Sequence, residues 1–284
     1  MTTRGTRRER RKAKRGQRAQ PKRASPWHGP LPFFAAAIAL AAIIGAFVLV
    51  SRNQAPPPAT GDDTAYVAAT ITTVPRATLD AVGAGALQNP LRATGQSEVT
   101  KGASGKPVVI YVGGEFCPFC ASQRWSLVVA LSRFGTFSGL RLTTSSSTDV
   151  YPNTPTLTFT GSSYASDVVE LAAVETADRE RKPIATPSPL QGQSIATYDP
   201  DGSIPYLSIG DRYVVVGSGY PPDVLAGKTW RQIADALKDS NSSIARAVLA
   251  NANYLTAAIC DVTAQAPTAT CDDPALKALA KPKA

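Results

Sequence analysis

Two kinds of apolar pattern run along this chain. The first is one uncharged stretch, Leu31-Pro-Phe-Phe-Ala through Val50, twenty residues without a strongly polar side chain. At about 1.5 Å per residue it makes a helix roughly 30 Å long, the thickness of a hydrocarbon core. Pro32 falls in the first turn, where its missing N–H does little harm. A cleaved signal peptide is the competing reading, but its apolar region runs about 7–15 residues and ends in small residues. Here the run is longer and Val48-Leu-Val-Ser-Arg is a poor cleavage sequence. The pattern predicts an uncleaved transmembrane helix, a signal-anchor, over residues 31–51.

The second pattern is shorter and punctuated. Asn53-Gln-Ala-Pro-Pro-Pro-Ala-Thr-Gly reads as a stiff, Pro-rich linker over 52–64 that lifts a domain off a bilayer. Residues 65–105 suggest a strand at Ala65–Thr73, a helix at Ala77–Val82 and Gly-rich loops. Val108-Val-Ile-Tyr-Val, ended by Gly113-Gly114, has the continuous β-branched run of a buried central strand. A helix is expected from Cys117 to about Phe134, then strands at Leu140–Thr144 and Thr156–Thr160. One helical or extended piece lies near Val168–Val174, inside a polar 161–193 segment. Ile204–Ile209, the turn at Gly210-Asp211 and Val214–Gly217 read as a β-hairpin. Trp230, Ile233, Ala234 and Leu237 mark an amphipathic helix over Lys228–Lys238, and another runs over Ser242–Ile259 with Ser242 or Ser243 as its cap. This order of strands and helices predicts an α/β domain over 65–284, with its core at 106–240.

The net charge of +9 invites a nucleic-acid reading. Residues 1–30, however, hold eleven Lys or Arg against Glu9, or +10, which leaves 9 − 10 = −1 for the rest. The cations belong to a tail too polar to bury a core, expected to be disordered and, by the positive-inside rule, cytoplasmic. The folded part is therefore expected outside the cytoplasm, and no nucleic-acid partner is expected.

All four cysteines, Cys117, Cys120, Cys260 and Cys271, fall on the outer side, where disulfides persist. Cys117-Pro-Phe-Cys120 follows a strand and opens a helix. A cysteine at a helix N-terminus faces unpaired N–H groups and the positive end of the dipole, which favour the nucleophilic thiolate. Cys120, one turn on, is placed to resolve a mixed disulfide. An inert disulfide is the bland alternative. Zinc is disfavoured because the only histidine, His28, sits in the tail. Copper is disfavoured because the only methionine is Met1. Cys260 and Cys271 enclose ten residues and are expected to form a structural disulfide, with an electron-relay pair as the alternative.

From Lys106 to about residue 240 the chain resembles the thioredoxin superfamily, through the strand, the Cys-Pro-Phe-Cys helix, Ile204-Pro205-Tyr206-Leu207-Ser208-Ile209, the Gly210-Asp211 turn and the helix at Lys228–Leu237. The resemblance implies a thioredoxin-like fold, Cys117 as nucleophile, Cys120 as resolving thiol, and Pro205, after Ile204, as a cis-proline shaping a substrate groove. The run Gly113-Gly-Glu-Phe-Cys-Pro-Phe-Cys120, with Gln123-Arg124-Trp125 behind it, is also similar to that of an uncharacterised family of membrane-anchored, thioredoxin-like proteins, a domain of unknown function. Two departures matter. Tyr111 stands about where thioredoxins keep a buried acid, so Glu115 is a candidate for proton handling, with a solvated loop acid as the other reading. The connection from Cys120 to Pro205 is long, so an insertion between the active-site helix and the cis-proline strand is expected to cover one side of the site. Trp125 is read as core, and Arg124 is left open.

The expected function is a membrane-anchored thiol–disulfide oxidoreductase, acting on extracytoplasmic protein thiols or disulfides without a cofactor and reset by a redox partner. The rival is a non-catalytic thioredoxin-like binding module of an envelope complex, with a structural disulfide in the motif.

Overall fold

The structure, a computed structural model, describes residues 31–279 and Pro282. The basic tail expected over 1–30 lies outside the described residues. The chain divides into two units, Met1–Val48 and Leu49–Ala284.

Helix α1, Leu31–Asn53, takes in the uncharged run. Among the described residues no helix is long and apolar enough to cross a membrane. Side chains at 31–33, 35–36, 47–49 and 51–53 are not among those described, so the expected span falls partly outside them.

In the second unit the linker is shorter than expected, because α2 begins at Gly61 and runs to Thr72. The strand expected at Ala65–Thr73 is therefore corrected to helix. Its β-branched residues suggested a strand, but a capping box formed by Thr60 and Asp63 starts the helix. Val67 and Ile71, four apart, give it a fully buried stripe. A short helix α3, Arg76–Val82, follows close to expectation.

The main sheet has the order β1-β9-β8-β2-β7, comprising β1 Arg92–Ala93, β2 Val108–Gly113, β7 Glu170–Glu175, β8 Tyr206–Ile209 and β9 Tyr213–Val216. Strand β2 is central and buried along its length, parallel to β7 and antiparallel to β8. Its alternation serves two layers. Val109 and Tyr111 join the large core with the long helices, while Val108, Ile110 and Val112 meet Leu190, Ile195 and Tyr198 on the other face. Those last three belong to α5, Pro189–Tyr198, a helix the polar composition of 161–193 concealed. The β8–β9 hairpin turns as expected at Gly210-Asp211, both at positive φ (58° and 53°), which Gly and Asp tolerate. The Asp211 carboxylate then accepts from Ser194 and Ser208 at 2.5 and 2.6 Å and from Thr100 at 2.8 Å, tying hairpin, α5 and the preceding loop together.

Helix α4, Pro118–Leu131, leaves β2 and packs against α7, Ser243–Val262, whose N-cap is Ser242. Helix α6, Trp230–Ala236, packs against α2. The segment between α4 and β7 forms two small antiparallel sheets. One pairs β3 (Gly135–Ser138) with β6 (Ser163–Ser166), and the other pairs β4 (Arg141–Thr144) with β5 (Pro155–Thr158). The domain is thus mixed α/β with a mixed main sheet.

The expected structural disulfide joins Cys260 on α7 to Cys271 at the end of α8, Thr268–Cys271, with a Cα–Cα distance of 5.4 Å. Both cysteines are buried.

Candidate active site

Strand β2 ends where Gly113 lets the chain turn past Tyr111. A Cβ at Gly113 would sit 2.3 Å from the Tyr111 hydroxyl. Four residues on, Cys117 takes the N-cap position of α4 in an extended conformation, and Pro118 supplies the first helical residue. The geometry follows from residue type. Proline's fixed φ suits the first turn, and its missing N–H leaves fewer donors to satisfy. The Cys117 sulfur accepts the Cys120 N–H at 3.4 Å. As a thiol it donates to the Ile204 carbonyl at 3.8 Å. That carbonyl precedes Pro205, and the Ile204–Pro205 peptide bond is cis. The residues expected to form the site, Cys117, Cys120, Ile204 and Pro205, are therefore brought together from a helix start and the entrance to β8.

Cys117 and Cys120 are both free thiols. Cys117 is 6% exposed and Cys120 0%, so both thiols are buried, Cys117 slightly less so. Their electrostatics diverge in the same sense. A hydrogen bond from the Cys120 thiol, against the cost of burial, and with the N–H groups of Cys120 and Phe119 and the charge of Arg124, brings Cys117 down to about 7. Burial, and the neighbouring Cys117, push Cys120 well up.

This predicts how the reduced chain reacts. Alkylation should report Cys117 alone, since Cys120 is inaccessible, and its rate should rise through pH about 7 as thiol becomes thiolate. In Cys120→Ala the midpoint should move upward, because the largest stabiliser of the thiolate is gone. An alkylation midpoint near that of an ordinary cysteine in the unaltered chain would contradict the geometry.

The segment between α4 and α5 walls the motif on one side. Ser146 N–H donates to the Phe116 carbonyl at 2.9 Å, Tyr151 meets Phe119 edge-on at 5.9 Å, and Arg181 lies 4.1 Å over the Phe116 ring. Phe119 itself is exposed. Glu115 turns out to be a tie within this wall. Its carboxylate accepts from Thr158 at 2.5 Å and Thr160 at 3.1 Å, which anchors β5 to the loop before the motif.

The site contains a feature that sequence reasoning missed. Arg124, one turn beyond Cys120 on α4, is fully buried. Its Nε and Nη2 donate to the two carboxylate oxygens of Glu175 at 2.7 and 2.6 Å, and Nη2 also donates to the Gly114 carbonyl at 2.8 Å. Burial works against this charge, but Glu175 more than compensates, so the guanidinium is held charged. Burial pushes the Glu175 carboxyl up while Arg124 pulls it down. The Tyr111 hydroxyl is also buried in this pocket and, like Arg124 Nη1, finds no hydrogen-bond partner among the described residues. The one available signal was the single charged residue on an otherwise uncharged helix. Trp125 beside it is core, as read, with its indole N–H on the Pro155 carbonyl at 2.9 Å.

Among the described residues no group of acidic, His or Cys side chains could hold a metal ion. No curated protein and no solved structure matches the chain. The model of a family described as a domain of unknown function (DUF929) matches residues 96–191, which carry β2, the Cys-Pro-Phe-Cys motif, Arg124, Glu175 and the inserted strands.

Proposed function

We propose that this chain is a membrane-anchored thiol–disulfide oxidoreductase of thioredoxin-like fold, acting on extracytoplasmic proteins. The observation that carries the reading is the cysteine pair. A thiol whose pKa is lowered to about 7 caps a helix, and a buried free thiol sits one turn below it. The strand arrangement supports the fold. Central β2 leads into the helix bearing the motif, β7 lies parallel on one side, and the antiparallel β8–β9 hairpin lies on the other. The exposed apolar side chains of Ile38, Leu40, Ile43 and Ile44 on α1 support an anchor, and the cations of residues 1–30 support a cytoplasmic N-terminus.

The chemistry needs no cofactor. The Cys117 thiolate attacks one sulfur of a substrate disulfide, and the S–S bond breaks as the other sulfur leaves as thiolate. Cys120 then loses its proton, its sulfur attacks Cys117, and the second substrate sulfur leaves and is protonated. The substrate gains two electrons and the Cys117–Cys120 pair loses them. Run backwards, the same steps oxidise a substrate dithiol. A redox partner of the opposite sense resets the pair.

The small exposure of Cys117, with Phe119 exposed two residues on, favours a second reading: a binding module whose motif holds a partner without exchange. A trapping series decides between them. In Cys120→Ala, attack still occurs but resolution cannot, so mixed disulfides with client proteins should accumulate on non-reducing gels. In Cys117→Ala they should largely vanish. Equal, near-zero trapping by both variants would leave the binding module as the better account.

A further inference from the structure

We propose that Arg124 is the charge that makes Cys120 a competent resolving thiol, and that Glu175 is the positioning residue that holds it there. The proposal rests on the oxidoreductase reading above and assigns roles to residues outside the Cys-Pro-Phe-Cys motif.

Position comes first. Arg124 is four residues after Cys120 on one helix, so the two side chains share a face. Two of its nitrogens are fixed by Glu175 and the Gly114 carbonyl, while Nη1 is buried without a partner among the described residues. The Tyr111 hydroxyl, also unpartnered, belongs to the same pocket, with Arg124 5.9 Å from the Tyr111 ring centre. Buried donors left unsatisfied are rare in folded proteins and call for an explanation. A transient anion in this pocket supplies one. The resting chain keeps Cys120 protonated, and the resolving step turns it into a thiolate.

Charge comes second. A buried ion pair adds little net stability over an apolar pair of the same volume, so stability alone does not account for these charges. The groups around Cys120 are Cys117 at the start of the same helix, Tyr111 from β2 and Arg124 itself, with Glu175 from β7 held on Arg124, and Arg124 is the cation among them. Its charge opposes the burial that otherwise pins Cys120 as a thiol. In the resolving step the proton leaving Cys120 goes with the departing substrate sulfur, the new S–S bond joins Cys120 to Cys117, and the positive charge of Arg124 faces the thiolate while it exists. Glu175 keeps the guanidinium in place and moderates it, so that Cys120 does not ionise at rest.

The two partners should therefore act in opposite directions, which a merely structural bridge would not do. The test uses the full chain with a small-thiol mixed disulfide formed on Cys117 at acid pH, where Cys120 is protonated. A jump to higher pH starts release of the small thiol by Cys120. Arg124→Met should slow release about tenfold at neutral pH and displace its pH profile upward, as loss of one adjacent opposite charge does. Glu175→Gln should speed release and displace the profile downward, and Arg124→Lys should restore part of the rate. The double variant Arg124→Met/Glu175→Gln leaves no buried charge unpaired, and should still be slow if the single variant does not fold. Release by the double variant within about twofold of the parent, or equal displacement by both single variants, would overturn the proposal. Failure of the unaltered chain to exchange at all would instead sink the oxidoreductase reading.

Discussion

Replacing Glu175 by alanine should cost the folded domain about 3–5 kcal/mol, one of the two largest losses expected from a single side chain here. The guanidinium of Arg124 is fully buried, and its Nε and Nη2 reach the Glu175 carboxylate at 2.7 and 2.6 Å. Removing the carboxylate strands a charge in the interior with one carbonyl, that of Gly114, still facing it. The penalty is the cost of an uncompensated buried ion rather than the value of the bridge. For that reason Arg124→Met combined with Glu175→Gln should recover most of the loss. Urea unfolding checks both statements, through the midpoint at unchanged slope. A Glu175→Ala chain as stable as the parent would mean that Arg124 finds water or another partner, and the site as described would be wrong.

Cys260→Ser should be the second large loss, about 2–4 kcal/mol, with thiol exchange at Cys117 left largely intact. The bond closes a loop of eleven residues' separation between α7 and α8, so cutting it returns conformational freedom to the unfolded chain. Both cysteines are buried, at 3% and 2% exposure, which keeps passing thiols away and suits a clamp rather than a relay. If Cys260→Ser keeps its thermal stability but loses turnover, the pair passes electrons and the clamp reading fails.

The parts of the site legible in the sequence were those set by local chemistry. Cysteine followed by proline after a β-branched run specifies a strand, a turn and a capped helix within a dozen positions, and Cys117 does sit at that N-cap. The Gly210-Asp211 turn and the Ser242 cap were legible for the same reason. Trp125 could be read as core because Leu127, Val128, Val129 and Leu131 follow it as an apolar helical face, and all of them are buried. What escaped was non-local. Arg124 finds its acid 51 positions away, across the inserted strands, and no spacing rule links the two. Glu115 could be read as a proton-handling acid or as a solvated loop acid, and its bonds to Thr158 and Thr160, over 40 positions away, were not legible. Helix α5 covers one face of the sheet with only Leu190, Ile195 and Tyr198, too few apolar residues to stand out from a polar segment. Helix α2 was misread because β-branched residues carry strand propensity, while the capping box at Thr60 and the buried pair Val67 and Ile71 decided otherwise.

The central claim, that Cys117 and Cys120 are a working redox pair, is tested most directly by their reduction potential. The full chain is equilibrated in glutathione buffers of graded ratio, quenched with acid, and the Cys117–Cys120 state is read by mass after alkylation. A thiolate stabilised near pH 7 over a buried partner predicts reversible equilibration between about −270 and −120 mV, where dithiol catalysts lie. A pair that stays oxidised throughout, with a potential below about −300 mV, would behave as a structural disulfide and contradict the account.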